Sequence, residues 1–223
     1  MNFAPNLYHA HMVNAKQRFL AIDRVLGAKK PRTVSVDLDN DFCWLQLRNI
    51  VELVAFSCII SDEKRYAALR AETTKNPDYK RDGKAGKIFD NLSLINPHFL
   101  PTPIQPVPET TTEGLLHFKE GGAVQTLDRF VNIFQTAGQY LHTPNPFEPE
   151  NLFEYGQMLV DSRTRIKVEL AYLKGVLWHH AKVGLAFDGG DPRQFTDHET
   201  AWIINFGKAD SFEISMTLAT AKH

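Results

Sequence analysis

"FCWLQLRNIVELVAFSCII", residues 42–60, is the stretch on which the fold turns. Phe42, Trp44, Leu45, Leu47, Ile50, Val51, Leu53, Val54, Phe56, Ile59 and Ile60 leave no solvated stripe, so the spacing predicts a helix surrounded by other elements. Its few polar residues then become informative. Gln46, Arg48, Asn49 and Glu52 stand mid-run, and Arg48 and Glu52 are four residues apart, facing each other across one turn. A charge in such a helix has to be paired or to lie at a water-filled cleft. Just upstream, "DLDND" offers Asp39 or Asn40 as the N-cap.

The flanking segments supply the neighbours this helix needs. Before it, Tyr8, Met12, Ala15, Phe19, Ile22 and Leu26 recur at spacings of four and three, the pattern of one helix face, and Gly27 is a natural stop. After it, "DEKRYAALRAETT" reads as a more solvated helix, followed by the polar loop "KNPDYKRDGKAG". A short amphipathic helix then runs through Ile88, Leu92 and Ile95 to the stop "NPHF". From Asn96 to Thr112 the chain carries five prolines. It is expected to be an extended strap, polyproline-like in places and anchored by Phe99, Leu100, Ile104 and Val107; the other reading of such a run is a mobile segment. A helix over 124–142 would turn Leu127, Val131, Phe134 and Leu141 inward and end at "TPNPFEP". The longest helical pattern follows, through Leu152, Leu159, Ile166, Leu170, Leu173 and Leu177, interrupted by Gly156 and Arg163.

After Gly175 the period changes. "AKVGLAF", "ETAWIINF" and "SFEISMTLAT" alternate as strands do, the last with Phe212, Ile214, Met216 and Leu218 on one face, and "DGGDP" and "GKAD" supply turns between them. The expected fold class is mainly α: a helical bundle over residues 1–178 with a small C-terminal antiparallel β meander over residues 179–223 packed on it.

Composition narrows the function. Lys plus Arg is 25 against 26 for Asp plus Glu, so bulk charge gives no reason for general adhesion to nucleic acid or to an anionic membrane, and any RNA contact has to be local. Cys43 and Cys58 are fifteen residues apart on one helix, about 22 Å along its axis and too far to bridge each other, which points to a reducing compartment. The N-terminus lacks the pattern of a secretory leader, and a cytoplasmic protein with no membrane partner is the expectation.

Signature motifs are missing: no Gly-rich phosphate loop, no G-x-S-x-G, no H-E-x-x-H and no C-x-x-C. "DLDND" opens like a calcium loop but lacks its glycine and terminal glutamate, so capping is the better reading. His9 and His11 point to different sides of a helix. His179 and His180 fall where helix gives way to strand, where one ring can bond a terminal carbonyl. No cofactor and no metal are expected.

One combination remains. In "GQYLHTPNPF" the helix ends on His142, fixed by the proline turn that follows. An imidazole held beside a cation and a carboxylate can exchange a proton with a ribose hydroxyl or a leaving oxygen. The candidate catalytic set is His142, Arg48 and Glu52, with Asn49, Gln46, Tyr140 and Asn145 as candidate binding residues. The alternative is that Arg48 and Glu52 neutralise each other while His142 and Asn145 tie off the helix end.

The "LQxRxIxEL" pattern of residues 45–53 and the later "LH-x-x-NPF" of residues 141–147 resemble the HEPN-type group of helical proteins, and more closely bacterial relatives that share both motifs. The resemblance covers those two segments well, "INPHFLPTP" plausibly and the C-terminal strands weakly. It implies an α-helical bundle, a homodimer formed across the face carrying the histidine, and, in active members, metal-independent endoribonuclease action of a defence or toxin type. The family's arginine, four to six residues before the histidine, has no counterpart, since Arg129 lies thirteen residues before His142. Arg48 is the substitute proposed from the neighbouring helix.

Two functions follow. One is a HEPN-like ribonuclease, which requires His142 to lie in an open cleft near a dimer axis. The other is a catalytically silent helical protein that binds a partner protein or RNA through the bundle and its β meander, which requires His142 to be buried and bonded to its own turn, with Arg48 and Glu52 satisfied internally.

Overall fold

The computed structural model describes residues 5–72, 77–106, 118–143, 145, 147, 149–185, 187, 189–194 and 198–219. Within them the chain is mainly helical, with an antiparallel sheet packed against the bundle. Helix α1 (Pro5–Leu26) buries Tyr8, Met12, Ala15, Phe19 and Ile22 completely, as the spacing predicts, and Gly27 closes it by bonding its N–H to the Asp23 carbonyl at 2.9 Å.

Helix α2 (Val36–Ser61) is the hub. It packs beside α1 and is covered further along by later helices, so its apolar residues from Cys43 to Ile60 make the centre of the core. It is long and apolar enough to cross a membrane, but 61% of that apolar window is buried inside the protein. The N-cap differs from expectation. Ser35 caps the helix, its hydroxyl accepting from the Leu38 N–H at 3.2 Å. Asp39 lies inside the helix and turns its carboxylate back to the Arg32 and Thr33 N–H groups, at 3.0 and 2.8 Å, stapling the connector to the helix start. Several cap-competent residues stand in a row here, and the earliest one takes the role.

Helix α3 (Glu63–Ala71) is less solvated than its composition suggests, because Arg65, Tyr66, Leu69 and Arg70 are buried. Arg70 meets Asp82 at 2.9 Å, and the Tyr66 hydroxyl donates to the same carboxylate at 2.8 Å. Helix α4 (Ala85–Ser93) buries Ile88, Phe89 and Leu92. The proline-rich strap is extended but not free-running. Residues Thr102–Pro106 form strand β1, which pairs with both β2 (Phe118–Glu120) and β3 (His179–Leu185). Proline can occupy a strand where its missing N–H is not needed by a neighbour. Val107 and the remainder of the strap to Thr112 lie outside the described residues.

Helix α5 (Leu127–Leu141) turns a different face inward from the one expected: Phe130, Ile133, Ala137 and Tyr140 are buried, whereas Leu127, Val131, Phe134 and Leu141 are half-buried. The Tyr140 ring stacks on Trp44 of α2 at 4.4 Å, which sets the rotation of the helix. Helix α6 (Pro149–Leu177) packs through Ile166, Leu170, Leu173 and Leu177, and Ser162 accepts from the Trp44 indole at 3.0 Å. Its first half is not packed lengthwise: Leu152, Phe153 and Val160 are exposed. The C-terminal meander forms as β3, β4 (His198–Asn205) and β5 (Ser215–Ala219), giving the sheet order β2-β1-β3-β4-β5. Phe212 and Ile214 precede the last strand rather than belonging to it, and Leu218 is exposed. Of the turn "DGGDP", Asp188 lies outside the described residues.

Candidate functional site

Helix α2, which carries the first motif segment, packs against α5, which leads into the second. Residues Leu45, Asn49, Glu52 and Phe56 follow one another along the solvent-facing stripe of α2, with Leu45 exposed and the others half-buried. Arg48 stands at the α5 edge of this stripe. Its Nε donates to Glu52 Oε1 at 3.3 Å, and both side chains keep solvent contact, at 31% and 27% exposure. The guanidinium lies over the Phe134 ring of α5, with Cζ 4.4 Å from the ring centre. One Arg48 Nη sits 3.5 Å from the place where Gly138 would carry a Cβ, an ordinary contact distance.

His142 is the C-cap of α5, its N–H bonded to the Gly138 carbonyl at 3.1 Å. That puts it one turn beyond the glycine that Arg48 touches, about 6 Å along the axis. The residue is exposed, and among the described residues its imidazole makes no hydrogen bond or ion pair. Arg48 and Glu52 are thus paired directly and His142 bonds to neither; with Tyr140 stacked on Trp44 and Arg48 over Phe134, the α5 end points toward the start of α2, on the other side of Arg48 from Glu52. Arg129, the nearest arginine upstream on α5, is committed elsewhere: it reaches Glu169 at 2.6 Å and lies over the Tyr172 ring.

The expected binding residues divide. Asn49 faces the stripe. Gln46 is buried on the α1 side, where its Oε1 accepts from an Arg18 Nη at 2.5 Å. Tyr140 is buried, with its hydroxyl donating to the Met158 carbonyl at 3.0 Å, so it braces α5 against α6. Asn145 Oδ1 accepts from the Phe147 N–H at 3.1 Å, a local turn contact. Pro144 and Pro146, the expected brake, lie outside the described residues. Arg18 was missed in the sequence because it stands in α1, far from both motifs. A shallow depression of about 420 Å³ between α1 and α6, bordered by Asp23, Gly27 and Lys174, includes none of these residues.

A second polar cluster lies deep between α1, α2 and the sheet. Strand β3 runs contrary to its composition: His180 and Lys182 point inward and are fully buried, while His179, Ala181 and Val183 face the other side, only half-buried. The His180 Nδ1 lies 2.8 Å from the Leu177 carbonyl, the terminal-carbonyl bond expected from sequence. A carbonyl can only accept, so Nδ1 carries the proton, and Nε2 accepts from the Tyr8 hydroxyl at 2.9 Å. Burial pushes the His180 imidazole down to about 4. Lys182 faces Asp62 at 3.8 Å and donates to the Val183 carbonyl at 3.1 Å. Asn96 Nδ2 approaches both Asp62 oxygens at 3.1 and 3.0 Å, and the Ser61 hydroxyl donates to the same carboxylate at 3.0 Å. Burial likewise pushes the neighbouring Cys58 thiol up to about 12, and both cysteines are free. His11 turns from α1 toward α2, where its Nδ1 lies 3.1 Å from the Ser57 hydroxyl. Among the described residues, no group of three or more His, Cys, Asp or Glu side chains could hold a metal.

By fold, the chain is a mainly helical bundle with an antiparallel sheet, with a half-exposed Arg48–Glu52 pair on α2 and an exposed His142 at the end of α5. Comparison with protein-family models, with curated proteins and with solved structures gives no match to it.

Proposed function

We propose that this chain is a HEPN-like helical protein that acts on RNA at the α2–α5 surface, in a bacterial defence or toxin setting. The observation that carries the reading is the exposed, unbonded imidazole of His142, one turn from the glycine against which Arg48 lies. A general base has to be accessible to substrate, and a ring already consumed by its own turn could not serve. In the cleavage step, His142 takes the proton of a ribose 2′-hydroxyl and the 2′-oxygen attacks the adjacent phosphorus. Arg48 stabilises the negative charge on the non-bridging oxygens, and the 5′-oxygen leaves with a proton from solvent, giving a 2′,3′-cyclic phosphate. Glu52 fixes the guanidinium. A second copy across the same face would bring two histidines to one RNA groove.

A second reading has its own support. The Arg48–Glu52 pair is mutually neutralised and Arg48 is stacked on Phe134, which suits a surface that binds a partner protein without chemistry. Incubating the purified protein with mixed RNA separates the two. The RNA-cleavage reading expects wild type to cleave, with His142→Ala and Arg48→Ala losing cleavage while melting like wild type. Equal RNA decay in wild type and His142→Ala would remove the catalytic role.

A further inference from the structure

The α2 stripe has a second cation on its opposite bank. Arg18 reaches across from α1, with Nε donating to Asn14 Oδ1 at 2.9 Å and an Nη donating to Gln46 Oε1 at 2.5 Å. Both acceptors are neutral amides, which orient a guanidinium without cancelling its charge. Among the described residues Arg18 makes no ion pair within bonding distance, although burial weakens its hold on the proton and the Glu52 charge acts on it in the opposite sense. Glu52 is bonded to Arg48. The surface therefore carries two guanidiniums and one carboxylate, a formal charge of +1, in a protein whose overall charge is −1.

Geometry narrows the anion that would fit here. A guanidinium has five N–H donors in a planar fork, and Arg18 commits two of them in the bonds above. Phosphate oxygens match such forks, and a diester charge is satisfied by two cations better than by one. Asn49, on the stripe between Gln46 and Glu52, offers hydrogen bonding, and half-buried Phe56 stands about 12 Å further along α2 than Arg48. A single-stranded nucleic acid, with a base on every backbone unit, can reach Phe56 from a phosphate held at the arginines, whereas an acidic peptide brings no stacking partner for it.

Resting on the RNA reading above, we infer that Arg18 and Arg48 together form a two-guanidinium subsite for a phosphate of a single-stranded RNA backbone, with His142 at its α5 end. Arg18 is then the positioning cation on the α1 bank, and Gln46 and Asn14 hold its fork in place.

The test is fluorescence anisotropy of the full chain with a labelled single-stranded RNA across a salt titration. The proteins are wild type, Arg18→Gln, Arg48→Gln, Arg18→Lys and, as a control, Arg81→Gln on the exposed 79–81 turn. Each of Arg18→Gln and Arg48→Gln is expected to weaken binding about tenfold and to lower the log–log salt slope by about one. Arg18→Lys keeps the slope and loses affinity, because charge survives and the fork does not. Circular dichroism melts exclude unfolding as the cause. RNA binding with an Arg18→Gln slope equal to wild type overturns the subsite and leaves the RNA reading standing on Arg48 and His142. Absence of RNA binding by wild type overturns both, and so does Arg18-dependent binding of polyglutamate in place of RNA.

Discussion

Two clusters in this molecule use the same chemical vocabulary. The seam of Tyr8, His180, Asp62 and Lys182 and the surface residues Arg18, Arg48, Glu52 and His142 each comprise a histidine, a carboxylate and a cation. In the seam, every one of those four groups has a protein partner in the interior, and Asp62 alone draws Asn96, Ser61 and Lys182. On the surface, Arg48 holds one carboxylate contact, and the imidazole of His142 holds none among the described residues. The seam has spent its hydrogen-bonding capacity on the fold, whereas the surface keeps capacity for a ligand. Polar density is therefore a poor guide to function unless it is read together with saturation and exposure.

The sharpest way to break this distinction is to disturb the seam. Asp62→Ala strands a buried ammonium and is expected to cost about 3–5 kcal/mol in urea unfolding, while Asp62→Leu combined with Lys182→Met recovers much of that loss. A small cost for Asp62→Ala alone would show that Lys182 is not held by charge pairing.

Proton linkage probes the same seam. The folded His180 imidazole is depressed to about 4 from an ordinary value of 6.5, so the unfolded chain binds the proton more tightly. The stability it contributes is complete above about 6.5 and is lost as the pH falls from there through about 4, by up to about 3 kcal/mol. Denaturation curves across that window should show the slope in wild type and a flatter profile in His180→Phe.

Gly138→Ala moves stability in the other direction. A methyl there would meet Arg48 at 3.5 Å, an ordinary contact distance, and alanine is the better helix former, so a gain of about 0.5–1 kcal/mol is expected in thermal melts. The smallest effects belong to the surface itself. Arg48→Ala, Glu52→Ala and His142→Ala should each change stability by no more than about 1 kcal/mol, since the pair is half-exposed and the imidazole unbonded. A large loss from His142→Ala would reassign that residue to the fold.

Legibility in the sequence followed the strength of the period. Helix α1 was readable residue by residue because Tyr8, Met12, Ala15, Phe19 and Ile22 repeat without interruption and all are buried. Arg48 and Glu52 were readable as a pair because an i, i+4 relation is local. Strand β1 was hidden by Pro103 and Pro106, which advertise a backbone that does not pair, although Pro103 registers with His180 across the sheet. Strand β3 was legible as a strand but not in its facing, since alternation of apolar residues would put Ala181 and Val183 inward and instead Lys182 is the buried one. Only Asp62 and Asn96, distant in the chain, make that orientation tolerable. Arg18 went unseen for a related reason: its bond to Asn14 is an ordinary one-turn contact, and Gln46, which it reaches, belongs to another helix.

The tie between the two ends of the chain bears on synthesis. Lys16 of α1 donates to the carbonyls of Phe206 and Glu213, the second at 2.6 Å, and Tyr8 waits on His180. Helix α1, which packs mainly on α2, thus takes part of its interior cover from strands made well after it. Until those strands are synthesised that part of its face stays uncovered, which exposes the nascent chain to chaperone capture and to off-pathway association.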